Sequence, residues 1–315
     1  MKRILILIAA LLLLASAAGC AAAPAASDTP GVSATPAASA APSESATVSA
    51  SADVSATVAP TGPGSIAAIK AAGTIRIGIF ADDAPFCYQD VDGQFKGYDV
   101  MLGERIAKEL LGDETKITWV ALNPADRIPY LQTNKVDLML ADFTVTEERA
   151  KSVDFTLPYE KVSVGVVSSE KAPINSVDDL KGKTVVVSTG TTADAYFTKN
   201  LPDVKLLKTD AITDGYQALT AGRADAFAQD NTLLLSWAKA NPGYVVGIGE
   251  LGNKDYIAGA VTKGNTELLN YVNDLIKGAL KDEQFFHKAY DSTLKDAFPE
   301  NFTADQIVVE GGVTE

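Results

Sequence analysis

The sequence predicts an α/β fold made of two similar lobes, between which the chain crosses twice. Three observations predict it: strand-like and helix-like segments alternate after residue 64, one α/β unit repeats further along the chain, and an apolar run at 257–261 would return the chain to the first lobe. Alternating strands and helices are typical of a parallel sheet with helices on its faces. Two crossings would form a hinge, so the lobes could close over a ligand.

The first segments of the body carry the α/β pattern in order. Residues 66–72 indicate a short helix, and the β-branched residues of 74–79 indicate a strand. Helical spacing follows over 100–111, and 116–120 reads as the next strand. The order helix, strand, helix, strand therefore opens the first lobe.

The internal repeat is the most informative feature. Residues 131–144 can be laid over residues 219–232, and each copy reads as a helix end, a turn, a buried strand and then Asp and Thr. The matched pairs share one offset of 88 positions: Lys135 with Arg223, Asp137 with Asp225, Asp142 with Asp230, and Thr144 with Thr232. Ligands bind beyond the carboxyl ends of strands in open α/β sheets. Facing lobes would thus place both Asp and Thr ends around one cleft; the alternative is chance similarity between two amphipathic units.

These observations give the domain boundaries. A second strand opening at 182–188 heads the second copy, as 74–79 heads the first. We expect lobe 1 to comprise residues 65–163 and 257–298, and lobe 2 to comprise residues 164–256. Residues 299–315 remain as a C-terminal tail. Residues 268–280 and 285–290 are expected to be helices of lobe 1.

The N-terminal segment predicts export. Lys2 and Arg3 precede an apolar stretch, which together are typical of a signal peptide spanning residues 1–19. Small residues directly before Cys20 resemble a lipobox and predict a lipid on its thiol, whereas cleavage after Ala17 would leave a soluble secreted protein. Residues 20–64 are nearly all Ala, Ser, Pro, Thr and Val, so they cannot bury enough apolar surface to fold and would act as a tether.

Composition excludes several classes of function. A net charge of −13 disfavours nucleic acid, because phosphate binding requires a basic face. Cys20 and Cys87 are the only cysteines and His287 the only histidine, so no zinc site is expected. No motif pairs a nucleophile with a base or forms a cofactor loop. We therefore expect neither catalytic residues nor a cofactor.

Arg149 is a candidate ligand-binding residue. Thr146 is the expected N-cap of a helix that starts with two acids, and Arg149 then occupies the third helical position, where the helix dipole disfavours a cation. A planar guanidinium at the mouth of a cleft could hold a carboxylate with two parallel hydrogen bonds. The alternative is a salt bridge to Glu147, Glu148 or Asp154.

A second candidate is the turn that contains Gly190, Thr191 and Thr192, between a strand and a helical stretch at 193–199. Free backbone N–H groups at a helix start suit a small anion. Asp230, and Asp142 in the other copy, supply the opposite charge. Since an α-amino acid carries an ammonium and a carboxylate on one carbon, the two candidates together suit such a ligand.

Eight sequence segments together resemble the family 3 solute-binding proteins of amino-acid ABC transporters. The matching segments are Phe80 to Phe86, Gly97 to Val100, Lys135 to Asp137, Phe143 to Arg149, Val153 to Tyr159, Leu180 to Thr184, Gly190 to Thr192 and Ala221 to Asp225. Within the family, residues 190–197, 230–234, 285–290 and 308–312 look closest to the CjaA-type cysteine-binding lipoproteins. The resemblance implies a periplasmic-binding-protein-like clamshell, an ABC permease as partner in the membrane and a small amino acid as ligand.

The resemblance also implies roles for single residues. Arg149 would bind the α-carboxylate, with help from the backbone amides of Thr144 and Thr192. Asp230 and the Thr144 hydroxyl would hold the α-ammonium, together with the Ala141 carbonyl.

The side-chain pocket would be lined by Phe80, Tyr88 and Arg127. Asp142 and Gln229 depart from the residues common among relatives and lie beside the ligand position. Arg127 is ambiguous, because relatives that bind glutamate or aspartate use an Arg in a similar context. Phe80 in place of a lysine, with the extra acid at Asp142, favours a neutral ligand such as cysteine. The alternatives are a glutamate, aspartate or other polar amino-acid receptor, an enzyme like the cyclohexadienyl dehydratases, and an adhesin or sensor domain on the same fold.

Overall fold

The computed structural model describes residue 62 and residues 64 to 314. The predicted signal peptide, the predicted lipidation site at Cys20 and nearly all of the predicted tether lie outside the described residues. The described residues belong to one compact unit. Among them, no helix has the length and apolar character needed to cross a membrane.

Eleven strands and ten α-helices can be assigned in the described part of the chain. The strands are β1 Ile75–Ile79, β2 Asp82–Asp83, β3 Cys87–Gln89, β4 Phe95–Lys96, β5 Ile117–Ala121, β6 Leu138–Met139, β7 Val153–Ser169, β8 Thr184–Ser188, β9 Lys205–Thr209, β10 Ala226–Asp230 and β11 Tyr244–Thr262. The helices are α1 Ile66–Ala72, α2 Tyr98–Leu111, α3 Arg127–Gln132, α4 Glu147–Ala150, α5 Thr192–Asn200, α6 Ile212–Thr220, α7 Asn231–Ala240, α8 Thr266–Leu275, α9 Phe285–Thr293 and α10 Ala304–Ile307.

The main sheet has eight strands in the order β5, β1, β6, β11, β7, β10, β8, β9. At one end β5, β1 and β6 are parallel, and at the other end β10, β8 and β9 are parallel. We call these sets, with the loops that follow their strands, the first half and the second half. The α/β class predicted from the sequence is confirmed, with the strands of each half arranged alike.

A long ribbon of β7 and β11 lies between the halves. β11 pairs with β6 of the first half, and β7 pairs with β10 of the second, both antiparallel. The two strands have 17 and 19 residues, and their mutual register slips at five places. The predicted crossing points, 163/164 and 256/257, fall inside these continuous strands. The chain thus passes between the halves within β-structure. The apolar run 257–261, which was expected to return the chain to the first lobe, is the last part of β11.

The two halves share one hydrogen-bonding device at the start of the repeated strand. In the first half, the Asp137 carboxylate accepts from the backbone N–H of Arg76 at 2.9 Å, and the N–H of Asp137 donates to the Arg76 carbonyl. In the second half, Asp225 and Thr184 make the same two bonds, each 2.8 Å long. The sequence repeat therefore corresponds to a repeated structure, since both aspartates join adjacent parallel strands.

Both faces of the parallel strands are covered. Val186 and Phe227 pack into the larger buried apolar cluster, while their strand neighbours Val185 and Val187 pack into a second cluster with Phe197 of α5. Strands buried on both faces consist of continuous apolar runs, as these do.

The last residues also pack on the body. Residues 299 to 314, predicted as a tail, include α10 and the buried residues Ile307, Val308 and Val309. The backbone N–H of Val309 donates to the Tyr159 carbonyl at 3.0 Å, so this segment is tied to the ribbon.

Candidate ligand-binding site

The candidate site lies where the parallel strands of both halves end. Phe80 follows β1, Arg127 follows β5, and Asp142 follows β6; from the second half, Thr192 follows β8 and Asp230 ends β10. The carboxyl ends of parallel strands are the usual binding edge of an open α/β sheet. The fold thus brings both edges to one place.

Thr144 presents a free backbone amide. It forms an isolated antiparallel bridge with Ile257, in which the hydrogen bonds are made by the flanking residues instead: Ala258 donates to Phe143, and Val145 donates to Tyr256. Residues in such a non-hydrogen-bonded pair turn their own N–H groups away from the partner strand. Within residues 64 to 314, the Thr144 N–H has no acceptor.

The turn after β8 presents further amides. Thr191 caps α5, because its Oγ1 accepts from the N–H of Asp194 at 3.2 Å. The N–H groups of Thr192 and Ala193 are in the first helical turn, where no intrahelical acceptor exists. They donate to no other described residue. This turn is therefore a ready anion site, as its sequence predicts.

Arg127 is buried, with 3% of its surface exposed, and its guanidinium is held by carbonyls. Nε donates to Pro124, Nη1 donates to Ala141 and Asp142, and Nη2 donates to Gly190, over distances from 2.7 to 3.1 Å. Burial lowers the pKa of Arg127, but guanidinium groups remain protonated in proteins. Four carbonyl acceptors take up most of its five N–H donors.

The Arg149 side chain makes two hydrogen bonds, one to each half. Its Nη1 donates to the Thr144 carbonyl at 2.7 Å and its Nη2 to the Gly190 carbonyl at 2.9 Å. The guanidinium also lies 5.0 Å from the centre of the Phe143 ring. Burial, and next the charge of Arg127, lower the pKa of Arg149 to about 9, so the side chain is cationic at pH 7. The structure pairs Arg149 with none of the acids Glu147, Glu148 or Asp154 that the salt-bridge alternative named. Thr146 is confirmed as the N-cap of α4, since its side chain accepts from the Arg149 N–H.

Two buried acids, one from each half, lie next to each other in the site. Asp142 has a φ of 42°, a left-handed conformation that is strained for a residue other than glycine. Its Oδ1 has no hydrogen-bond partner in the described structure. Asp230 accepts from the Thr192 hydroxyl at 3.1 Å. Burial raises the pKa of both carboxyl groups, and the nearby charge of Asp230 raises that of Asp142 further.

These groups line a small cavity of about 10 Å³, the space of a single water molecule. It is lined by Phe80, Arg127, Asp142, Thr144, Thr191, Thr192, Gln229 and Asp230. Seven of the ten residues predicted from the sequence are in this set, and Gln229 is added to them.

Three predicted residues are placed elsewhere. Ala141 is beneath the cavity, where its carbonyl accepts from Arg127. Arg149 lines an adjoining open cavity together with Thr191 and Thr192. Tyr88 lies outside both cavities, in a separate groove beside α2 and α9. Strand alternation explains the position of Tyr88: its neighbour Cys87 points into the core, so Tyr88 points the opposite way.

One expectation from the repeat is also corrected. Thr232, the counterpart of Thr144, does not line the cavity, because its hydroxyl donates to Glu160 Oε1 at 3.2 Å inside the protein. The sequence singled out Gly190 as part of the candidate turn but gave no signal for the role of its carbonyl, which accepts from both arginines. Its φ of +84° and the 2.8 Å that would separate an added Cβ from Ala125 Cα explain why glycine stands there.

No cluster that could hold a metal ion occurs among the described residues. His287 bonds instead to Glu310 and Asp305 on the surface of the body. The site therefore presents charges, hydroxyls and amides, which suit the binding of a zwitterion.

Comparison with known proteins gives a consistent result. The family model for bacterial extracellular solute-binding proteins, family 3, matches residues 75–291. The solved cysteine-binding protein of Campylobacter jejuni is 51% identical, with a TM-score of 0.77 over 78% of this chain and 98% of that one. The solved receptor for L-cysteine of Neisseria gonorrhoeae is 47% identical, with a TM-score of 0.76 over 78% and 99% of the two chains.

A glutamine-binding protein of Geobacillus stearothermophilus is 34% identical over 60% of this chain and 73% of its own length. These relatives are binding proteins, in agreement with the prediction that this chain is not an enzyme. The two-lobed fold class and the export predicted from the sequence agree with the extracellular family as well. The chain belongs to the bacterial extracellular solute-binding proteins, family 3.

Proposed function

We propose that the protein captures one small, neutral α-amino acid, L-cysteine in particular, and delivers it to an ABC permease. The observation that carries this proposal is the grouping of charges around the small cavity: acids from both halves adjoin Arg149 and backbone amides that have no acceptor among the described residues. Opposite charges on one small ligand require such a pairing within a few ångströms. Closure of the halves would then bring the two charged regions onto the ligand.

The α-ammonium would lie between Asp142 and Asp230, with the Thr144 hydroxyl as a further acceptor. This assignment is supported by the unpartnered Asp142 Oδ1, because a buried carboxylate oxygen without a donor is costly unless a ligand supplies one. Ala141, whose carbonyl already accepts from Arg127, would act by orienting that arginine.

The α-carboxylate would bind to Arg149 and to the amides of Thr144 and Thr192. The Arg149 guanidinium donates two of its five N–H groups to carbonyls, so the others remain available for the ligand. A charge-assisted pair in a partly buried site is stronger than a neutral hydrogen bond.

The groups that line the cavity favour a small neutral side chain. Arg127 would be the cation for a dicarboxylic ligand, but four carbonyls already accept from it. Phe80 adds an apolar wall, and Asp142 and Asp230 would repel a second carboxylate. The two cysteine-binding structures, at 51% and 47% identity, support L-cysteine over glutamine.

Delivery would occur outside the cytoplasmic membrane. The signal peptide at 1–19 and the lipid on Cys20 remain predictions from the sequence. A lipid and a tether would hold the body near a permease and raise its effective concentration there. Cys20→Ser should release the protein from membranes into the soluble fraction, and a variant that stays with the membrane would contradict the anchoring.

A thermal-shift screen of the purified protein against all amino acids and cystine tests the ligand. Under reducing conditions L-cysteine should give the largest stabilisation, about 2.7 kcal/mol at 100 times its dissociation constant. Glutamate and aspartate should give none. A largest shift with glutamine would replace the proposed ligand, and no shift with any amino acid would overturn the proposed function.

A further inference from the structure

Helix α6 begins without a cap of its own. Its N-cap residue is Ala211, which offers no side-chain acceptor to the first helical N–H groups. Alanine is among the poorest N-cap residues for this reason. The acceptor comes instead from Asp82, whose Oδ2 receives the backbone N–H of Thr213 at 3.0 Å and the Thr213 hydroxyl at 2.8 Å.

This cap joins the two halves of the sheet. Asp82 follows β1 of the first half, whereas α6 follows β9 of the second, and 131 positions separate the bonded residues. Neither Asp82 nor Thr213 lines the cavity. The contact therefore depends on the approach of the halves and not on a ligand atom.

We propose that Asp82 is a positioning residue for ligand capture, which caps helix α6 only when the two halves close. The inference rests on the proposed function, since it assumes closure around an amino acid. When the halves separate, the first N–H groups of α6 must donate to water instead of Asp82, and the stabilisation from the cap is lost. Asp82 thus raises affinity without touching the ligand.

Helix α5 provides the contrast. Its N-cap, Thr191, comes from its own half and accepts from Asp194, so its first turn is complete whether or not the halves meet. The Gly190 carbonyl also joins the halves, but its donors are Arg127 and Arg149 of the binding site. The Asp82 contact joins the halves and can be removed without altering the cavity lining.

The test is calorimetric titration with L-cysteine, in reducing buffer, of the wild type, Asp82→Ala, Thr213→Ala and the double variant. Loss of a cap should weaken binding roughly 2- to 30-fold and accelerate ligand dissociation. Thr213→Ala removes only the hydroxyl bond to Asp82, so its loss should be the smaller one. The double variant should bind no more weakly than Asp82→Ala, because Asp82→Ala already removes both bonds. Asp82→Asn, which keeps an oxygen acceptor, should recover part of the affinity.

Stability of the ligand-free protein separates positioning from a general structural role. Asp82→Ala should leave the ligand-free melting temperature within about 2 °C of wild type, since the cap is formed in the closed state. Thr213→Val, like Thr213→Ala, removes the hydroxyl and keeps the backbone donor, so it should match Thr213→Ala. Asp92→Ala removes an exposed acid from the same region as a control.

Affinity of Asp82→Ala within twofold of wild type, or additive losses in the double variant, would overturn the inference. So would an equal loss of stability in the ligand-free protein. If the wild type itself bound L-cysteine no better than other amino acids, the proposed ligand would fail instead, and the wild type and the same three variants would be titrated with the amino acid that binds.

Discussion

The two halves of the sheet begin alike and end differently. At the start of the repeated strand, Asp137 and Asp225 make the same pair of backbone hydrogen bonds. At the carboxyl end, Asp142 is left-handed and its chain continues as a loop, whereas Asp230 leads directly into α7. Thr144 lines the cavity, and its counterpart is buried against Glu160.

The starts of the repeated strands therefore stabilise the fold, whereas their carboxyl ends form the candidate binding site. Bonds that join adjacent parallel strands are required in both copies, so the repeat retains them. In the proposed function the strand ends would meet the ligand from the two halves, and a zwitterion is not symmetric. The first half therefore contributes both arginines, while the second contributes the helix amides of the turn after β8.

The largest expected effect is on binding at the second half. Asp230→Ala should weaken amino-acid binding by more than about 100-fold, because it would leave the buried ammonium with an incomplete set of acceptors. Calorimetric titration measures it. Asp225→Ala, in the same half but at the framework end, is the matched control and should bind within threefold of wild type. Equal losses in both variants would erase the distinction between the two strand ends.

Arg149→Ala should cause a loss of similar size in the first half, about 100-fold, since the ligand carboxylate would lose its cation. Arg149→Lys should bind with intermediate affinity, because one ammonium cannot replace a planar fork that also reaches Thr144 and Gly190. Lys151→Ala removes a nearby exposed cation and should leave binding unchanged. Near-normal affinity of Arg149→Ala would exclude its carboxylate role.

The two threonines should respond in opposite ways to substitution by valine. Thr144→Val should weaken binding about fivefold with little change in stability, because one ligand hydrogen bond is lost. Thr232→Val should lower the free energy of unfolding by about 1 to 3 kcal/mol without a change in affinity, since Glu160 would lose its only donor in the described structure. Denaturant unfolding and titration of both variants provide the readouts. A loss of affinity in Thr232→Val would place it in the site after all.

The smallest effect should distinguish the framework aspartates. Asp137 is 4% exposed and its side chain also binds the Arg76 guanidinium, so Asp137→Ala should cost about 2 kcal/mol of unfolding free energy. The Asp225 side chain is 43% exposed, and Asp225→Ala should cost under about 1 kcal/mol. Chemical denaturation measures both. Equal costs would mean that burial does not distinguish the two copies.

Much of this architecture could be predicted from the sequence. β-Branched runs predicted the strands and helical spacing predicted the helices. The repeat predicted that Asp142 and Asp230 approach one site. Tyr88 lies apart from the cavity because Cys87 points into the core, and the sequence alone did not establish which of the two neighbours points inward. Residues 131 positions apart, such as Asp82 and Thr213, leave no local signal, since only the folded chain brings a cap from one half to a helix of the other.

The slipped ribbon between the halves has a mechanical consequence. Where β7 and β11 lose register, the Asn231 side chain replaces the missing ladder bonds, by accepting from Ser163 and donating to Gly249. Few backbone bonds must break when this stretch flexes, while the parallel strands on either side stay stiff. We therefore expect the sheet to bend between β7 and β11, at the positions of the bulges, while the parallel strands of each half move together.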